Sequence, residues 1–90
     1  MVKIRVAGIF SGLPMNELLE ERYQAGDTPA ALLGRLDKRK AVQRRFFSKV
    51  VKSGNGIFLL NGNRLELNDL KQKQLADGDE ISVLSAIAGG

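Results

Sequence analysis

Few residue types in this sequence could carry chemistry by themselves. It contains no cysteine and no histidine, which excludes disulfides, thiolate or imidazole metal sites and the usual Cys/His or Ser/His catalytic pairs. Glu20-Glu21 and Asp77-Gly78-Asp79-Glu80 could supply acid/base pairs, but nothing in the sequence places either group in a pocket. Gly54-Asn55-Gly56 lacks the spacing and the following Lys-Ser/Thr of a phosphate-binding loop. We therefore interpret these acids as surface charge and these glycines as a turn.

Basic residues are concentrated in one segment. Lys38 to Lys52 holds seven of the 14 lysines and arginines and no acid, so the rest of the chain has a net charge of −3. Such a segment is either a solvated helix face or a docking surface for an anionic partner, with Arg44, Arg45 and Lys49 as candidate contacts. Nucleic acid is the less favoured partner, because the segment's two phenylalanines fit a core stripe and are not expected to stack on bases.

The chain ends in Ser85-Ala86-Ile87-Ala88-Gly89-Gly90, which carries no charge and little bulk. Glycines without a Cβ allow close backbone approach and unusual φ/ψ angles. A terminal Gly-Gly alone is weak evidence for function, because a frayed end would look the same. Its meaning depends on the elements that precede it.

Ninety residues, 43% hydrophobic and 27% charged, predict one small folded domain over 1–90. So thin a core leaves little room for a deep substrate cavity and favours a surface-based function over an autonomous enzyme. No apolar run approaches the length of a membrane span, and the N-terminus lacks the apolar stretch of a signal peptide. Cytoplasmic residence without membrane partners is the expectation.

The first half of the chain predicts a hairpin followed by helices. Val2, Ile4 and Val6 alternate with charged residues as in a half-buried strand. The Ser11–Pro14 turn then favours a second strand over residues 15–23, although that stretch would also suit a helix. Helix signals follow; they are Asp27 or Thr28 as cap, Pro29 at the first position, Leu32, Leu33 and Leu36 at helical spacing, and a second stripe of Val42, Phe46, Phe47, Val50 and Val51.

The second half predicts three strands. Residues 57–60 form an apolar run, and Asn61-Gly62 is the strongest short hairpin signal in the chain. Leu65 and Leu67 are expected on the return strand, a short turn or helix begins at 68–70, and 81–84 form the last strand after the polar turn. The element order predicts an α+β fold with a mixed sheet of about five strands packed on one helical layer, and residues 85–90 as a flexible tail.

In this order the sequence resembles the MoaD/ThiS family of ubiquitin-like sulfur carriers, which adopt the β-grasp fold. The resemblance covers most of the chain and is most specific over Leu59-Leu60-Asn61-Gly62 and over residues 75–81, Leu-Ala-Asp-Gly-Asp-Glu-Ile. It is strongest where this Asp-Gly-Asp-Glu turn, one strand and a terminal Gly-Gly occur together.

The resemblance implies a carrier and co-substrate rather than an enzyme. An activating enzyme of the MoeB/ThiF type would adenylate the Gly90 carboxylate with its own ATP, and sulfur would replace one oxygen. The carrier itself would bind no cofactor and no metal. Gly89 and Ala88 would give the tail access to a narrow channel, and Leu84, Ile87 and Leu65 would dock the partner. A sulfur-acceptor synthase subunit, MoaE-like or ThiG-like, would be the second partner, with the carrier acting as the small subunit of the complex.

The sequence departs from the family pattern in two ways, and both bear on whether the carrier is MoaD-like or ThiS-like. MoaD members usually have two prolines ahead of the last four residues, where this chain has Ser85-Ala86. The segment Lys38 to Lys52 is longer and more basic than expected of ThiS. This segment and the total length of the chain favour a MoaD-like carrier, which would serve molybdopterin-type cofactor synthesis. A carrier for thiamin thiazole synthesis is the second choice. Two further hypotheses stay open, which are a protein modifier conjugated through Gly90 and a non-covalent β-grasp binding module that uses the basic segment.

Overall fold

The opening hairpin follows from the alternation of apolar and charged residues. The computed structural model describes residues 1–43 and 45–85, and in it β1 (Val2–Phe10) pairs antiparallel with β2 (Leu13–Glu21). The two residues between the strands both have positive φ, which suits the tight turn of a twisted hairpin. The choice of strand over helix for the second element is therefore confirmed.

Helix α1 (Pro29–Lys38) begins as the sequence predicts. Thr28 caps it, its hydroxyl accepting a hydrogen bond from the Ala31 amide at 3.3 Å, and Pro29 occupies the first turn, where a missing N–H costs nothing. Leu32, Leu33 and Leu36 are buried along one face.

Helix α2 (Phe46–Ser53) begins later than the apolar stripe suggests. Val42 lies before the helix, and Lys40 and Arg45 adopt left-handed conformations that interrupt any helix continuing from α1. The Asp37 carboxylate accepts hydrogen bonds from the Phe47 and Ser48 amides, both at 2.9 Å, and so caps α2 from the end of α1. The basic segment Lys38 to Lys52 is thus not one helix but a helix end, a turn and a second helix.

The second hairpin joins β3 (Gly56–Leu60) to β4 (Asn63–Leu65) through the Asn61-Gly62 turn, as predicted. The return strand is shorter than expected, since Leu67 begins α3 (Leu67–Gln72) instead of extending β4. Asp69 fixes this start, because its carboxylate accepts a hydrogen bond from the Glu66 amide at 2.9 Å.

The last strand, β5 (Glu80–Ser85), lies at the centre of the sheet. It runs parallel to β1 and antiparallel to β3, and the strand order is β2-β1-β5-β3-β4. The inner side chains of the sheet form one hydrophobic core with the helices, while the other sheet face is left uncovered by them. This mixed five-stranded α+β arrangement is the β-grasp architecture. No helix in the described ranges is both long enough and apolar enough to cross a membrane.

Ser85 is a correction to the predicted tail. It is the last residue of β5 and is only 7% exposed, so the strand continues one residue beyond the predicted boundary at Leu84. Its side chain lies on the buried face of the strand, as Ile81 and Val83 do.

A charged network beside the core was not foreseen. Arg35 donates to both carboxylate oxygens of Asp27 at 2.7 Å and to Glu21 at 3.2 Å, and Arg39 also pairs with Glu21 at 3.1 Å. The hydrogen bonds from Arg35 lower the pKa of the buried Asp27 carboxyl, and the pKa of Arg35 is raised in turn. Glu21, expected to be surface charge, instead helps tie β2 to α1.

Candidate functional site

The described residues end at Ser85, the first residue of the predicted tail. Ile87, Ala88, Gly89 and Gly90 lie outside the described residues, and so does Arg44. The described part of the site is the end of β5 and the strands that hold it.

Neighbouring strands hold the root of the tail closely. Ser85 pairs with Gly56 of β3, and its hydroxyl accepts a hydrogen bond from the Ile9 amide of β1 at 3.2 Å. A Cβ on Gly8 would lie 2.4 Å from the Ser85 hydroxyl oxygen, and Gly8 has a φ of +130°. Position 8 therefore needs glycine for both space and conformation. Sequence reasoning missed this contact, although a glycine inside an alternating strand is a recognised sign of close backbone approach.

Leu84 lies one residue before the root, on the sheet face that the helices leave uncovered. Its register partners are Ala7 of β1 and Ile57 of β3, and Leu59 lies two residues farther along β3 on the same face. All four side chains are half-buried, and we call them the outer apolar patch. The placement suits the docking role predicted for Leu84, which stays a prediction.

Leu65 is placed differently. It pairs with Phe58 on the inner face of the sheet and is 7% exposed. Its side chain packs within the core, so a partner could not contact it without opening the domain. In the domain as described Leu65 contributes to the packing of β4, and its predicted docking role stays an untested prediction.

The two motifs that carry the resemblance contact each other in the fold. The Asn61 side chain accepts a hydrogen bond from the Glu80 amide at 2.9 Å and donates one to the Asp79 carboxylate at 2.9 Å. The same Asp79 carboxylate accepts from the Ala76 amide at 2.8 Å. The Asn-Gly hairpin and the Asp-Gly-Asp-Glu turn thus fix the start of β5, at the opposite end from Ser85. Their role is to position the strand that leads to the tail.

Comparison with protein families assigns this architecture. Residues 14–90 match the model of the ThiS family, a range that includes both motifs and the chain end. The chain belongs to the ThiS family. Members of this family are sulfur carriers, not catalysts, and they interact with activating enzymes of the ThiF/MoeB type. A comparison with curated individual proteins gave no match.

The family match corrects one expectation. The preference for a MoaD-like over a ThiS-like carrier is not supported, since the matching model is that of the ThiS family. The arguments for MoaD were total length and a long helical basic insert. In the structure that insert is a helix end, a turn and a second helix, and the correction rests on the family match alone.

In this ThiS-family chain the described candidate contacts of the basic segment belong to α2, Arg45 directly preceding the helix and Lys49 lying within it. Arg45 and Lys49 are both exposed. The amides of Phe47 and Ser48 near the start of α2 already have a partner in Asp37, so the helix terminus itself is not open for an anion. An anionic partner of Arg45 and Lys49 stays a prediction. Within the described residues no three acids cluster in a way that could hold a metal ion.

Proposed function

We propose that this carrier presents its Gly90 carboxylate to an activating enzyme, and that the carboxylate becomes a thiocarboxylate. The observation that carries the proposal is the family match, which runs to residue 90, on a chain whose last central strand ends five residues earlier, at Ser85. Five residues can reach at most about 17 Å from that root. This distance would let a carboxylate enter a partner's site while the domain stays outside it.

The chemistry begins with a poor electrophile. The charge of a carboxylate repels nucleophiles, and its oxygen is a poor leaving group. Attack by the Gly90 carboxylate on the α-phosphorus of ATP releases pyrophosphate and gives an acyl adenylate. A sulfur nucleophile supplied by a persulfide or sulfide donor then adds to the acyl carbon and expels AMP. With a persulfide donor, reduction of the resulting acyl disulfide by a thiol releases the thiocarboxylate.

Contacts between the folded domain and the activating enzyme must offset the conformational entropy that the tail loses when it is ordered. Fixing each backbone residue costs about 1–2 kcal/mol, and glycine lies at the upper end because it is the freest residue. The outer apolar patch, with Leu84 next to the tail root, is the surface that we propose for this contact. Ile87 is the second predicted anchor, and it lies outside the described residues.

The acceptor of the sulfur belongs to one of two classes, a ThiG-like thiazole synthase or a MoaE-like molybdopterin synthase subunit. We propose that the thiocarboxylate is consumed by a small-molecule precursor bound to such a subunit. Supplying the purified thiocarboxylate to each subunit with its precursor, and measuring the return of carboxylate, distinguishes the two.

ATP–pyrophosphate exchange tests the activation step. The full chain with a ThiF/MoeB-type activating enzyme is expected to support exchange, and a variant lacking Gly90 is expected to lose it. Adducts on lysines of other proteins would instead indicate a modifier. Unchanged biological activity after Gly90 removal, lost on charge reversal at Arg44 and Arg45, would indicate the non-covalent module.

A further inference from the structure

A groove adjoins the tail root on the side of α2. It has a volume of about 550 Å³ and lies between the turn of the first hairpin, α2 and the loop that leads into β3. Its apolar lining consists of the exposed Ile9 and the nearly buried Phe10, Phe46 and Val50. Phe10 meets Phe46 edge-to-face with ring centroids 5.2 Å apart. A floor of packed aromatic rings gives the groove a defined shape in the absence of a partner.

The walls of the groove flank the end of β5. Ile9, which forms one wall, donates its amide hydrogen to the Ser85 hydroxyl. Asn55, at the other side, directly precedes Gly56, the register partner of Ser85. Any protein that receives the tail must approach this end of the sheet, so the groove is continuous with the surface used for activation.

The charge of the groove has one sign. Among the described residues that line it, Lys49 is the only ionisable one, and the described ion pairs do not include Lys49. Exposed Arg45, one turn earlier, adds a second positive charge nearby. An apolar floor beside an ammonium group complements an apolar side chain flanked by a carboxylate.

We propose that this groove binds an apolar-acidic docking element of the activating enzyme, with the apolar side chain over Phe10 and Phe46 and the carboxylate at Lys49. The inference rests on the proposed function, because it concerns the partner that activates Gly90. It assigns part of the basic segment to that partner, separately from the outer apolar patch.

A second groove provides the matched comparison. It has a volume of about 440 Å³, lies between the three helices on the other side of α2, and includes Lys52 and Leu67. The described residues that line this second groove do not include Ser85, nor do they include Ile9 or Asn55, which line the first groove beside the end of β5. Lys49 and Lys52 therefore have the same charge on the same helix but line different grooves.

The test compares Lys49→Glu with Lys52→Glu in ATP–pyrophosphate exchange on the activating enzyme. Lys49→Glu is expected to raise the KM for the carrier roughly tenfold with little change in kcat, and to weaken the salt dependence of KM. Lys52→Glu is expected to keep KM within about twofold of the unmodified chain. Equal KM values for the two variants would overturn the inference.

An NMR measurement on the unsubstituted protein makes the test independent of any effect of substitution on folding. With the activating enzyme bound, cross-saturation is expected at the amides of Ser11, Gly12 and Asn55 and not at those of Asn68 and Lys71 in the second groove. Saturation confined to the outer apolar patch would overturn the inference while leaving the proposed function intact. If the unmodified chain supports no ATP–pyrophosphate exchange on the activating enzyme, both the inference and the proposed function are refuted.

Discussion

Gly8 and Ser85 lie so close together that a Cβ on Gly8 would stand 2.4 Å from the Ser85 hydroxyl oxygen. The contact joins the first strand to the last residue of the central strand, next to the amide of Ile9 that hydrogen-bonds the same hydroxyl. It fixes the point from which the tail departs. The position of Ser85 relative to the outer apolar patch therefore depends on a glycine near the other end of the chain.

Gly8→Ala is expected to lower the free energy of unfolding by about 2 kcal/mol or more, because the new methyl group meets Ser85 and the backbone has positive φ. Gly34→Ala in α1 is the matched control, since its Cβ would contact nothing within 4 Å. There the change is expected to stabilise by about 0.5–1 kcal/mol through helix propensity. Urea unfolding of both variants measures the difference; equal effects would contradict the close contact at Gly8.

Asn61→Ala is expected to destabilise the domain by about 2 kcal/mol, because it removes two side-chain hydrogen bonds and places alanine in a left-handed conformation. Asn61→Gly is expected to recover the conformational part of this loss while leaving the Glu80 amide without its side-chain acceptor. The exposed Asn63 supplies the control, with Asn63→Ala changing stability by less than about 0.5 kcal/mol. If thermal unfolding shows the same small loss of stability for Asn61→Ala as for Asn63→Ala, the hydrogen bonds between the two motifs contribute little to the stability of the domain.

Asp27 is expected to contribute to acid denaturation. Its pKa is lowered in the folded state by hydrogen bonds from Arg35, so its stabilising effect is complete above the unfolded pKa and is lost as the pH falls through the folded one. Asp27→Asn is expected to cost about 3 kcal/mol at neutral pH by breaking a buried ion pair. The stability difference between the unmodified protein and the variant should stay constant down to about pH 5 and shrink below about pH 4. A difference that does not change between pH 7 and pH 2 would contradict the assignment.

Leu84→Asp is expected to raise the KM for the carrier in ATP–pyrophosphate exchange roughly tenfold or more, because it places a charge in the centre of the outer apolar patch. Leu67→Asp is the control, as Leu67 is 64% exposed on α3, away from that face. Circular dichroism of both variants checks that the domain is folded. If the two variants have the same KM, the outer apolar patch is not the docking surface.

Local patterns in the sequence predict most of the sheet. Alternating Val2, Ile4 and Val6 indicate β1, and Asn61-Gly62 indicates the second hairpin, because strand period and turn conformation depend on neighbouring residues. The start of α3 is predicted one residue late, since Leu65 and Leu67 alternate as in a strand, whereas the Asp69 carboxylate accepts a hydrogen bond from the Glu66 amide and the helix begins at Leu67.

Contacts between distant residues explain the remaining differences. The start of α2 depends on Asp37, ten residues before the Phe47 amide that it accepts from. Ser85 looks like a tail residue because it is small and uncharged, but its partner Ile9 lies 76 residues away in the chain. The groove at Lys49 is assembled from two distant stretches of the chain, one within residues 9–12 and one between residues 43 and 55, so no spacing in the sequence reveals it. The terminal Gly-Gly was interpretable because the two motifs before it specify the strand that leads to it.

Intact-protein mass spectrometry tests the central claim most directly. The full chain is incubated with ATP, a ThiF/MoeB-type activating enzyme and a sulfur donor, and fragmentation then locates any change in mass. The account predicts replacement of one oxygen by one sulfur at Gly90, and no such change in a chain that lacks Gly90. An unchanged mass for a full chain that the activating enzyme binds, or sulfur located at any other residue, would contradict it.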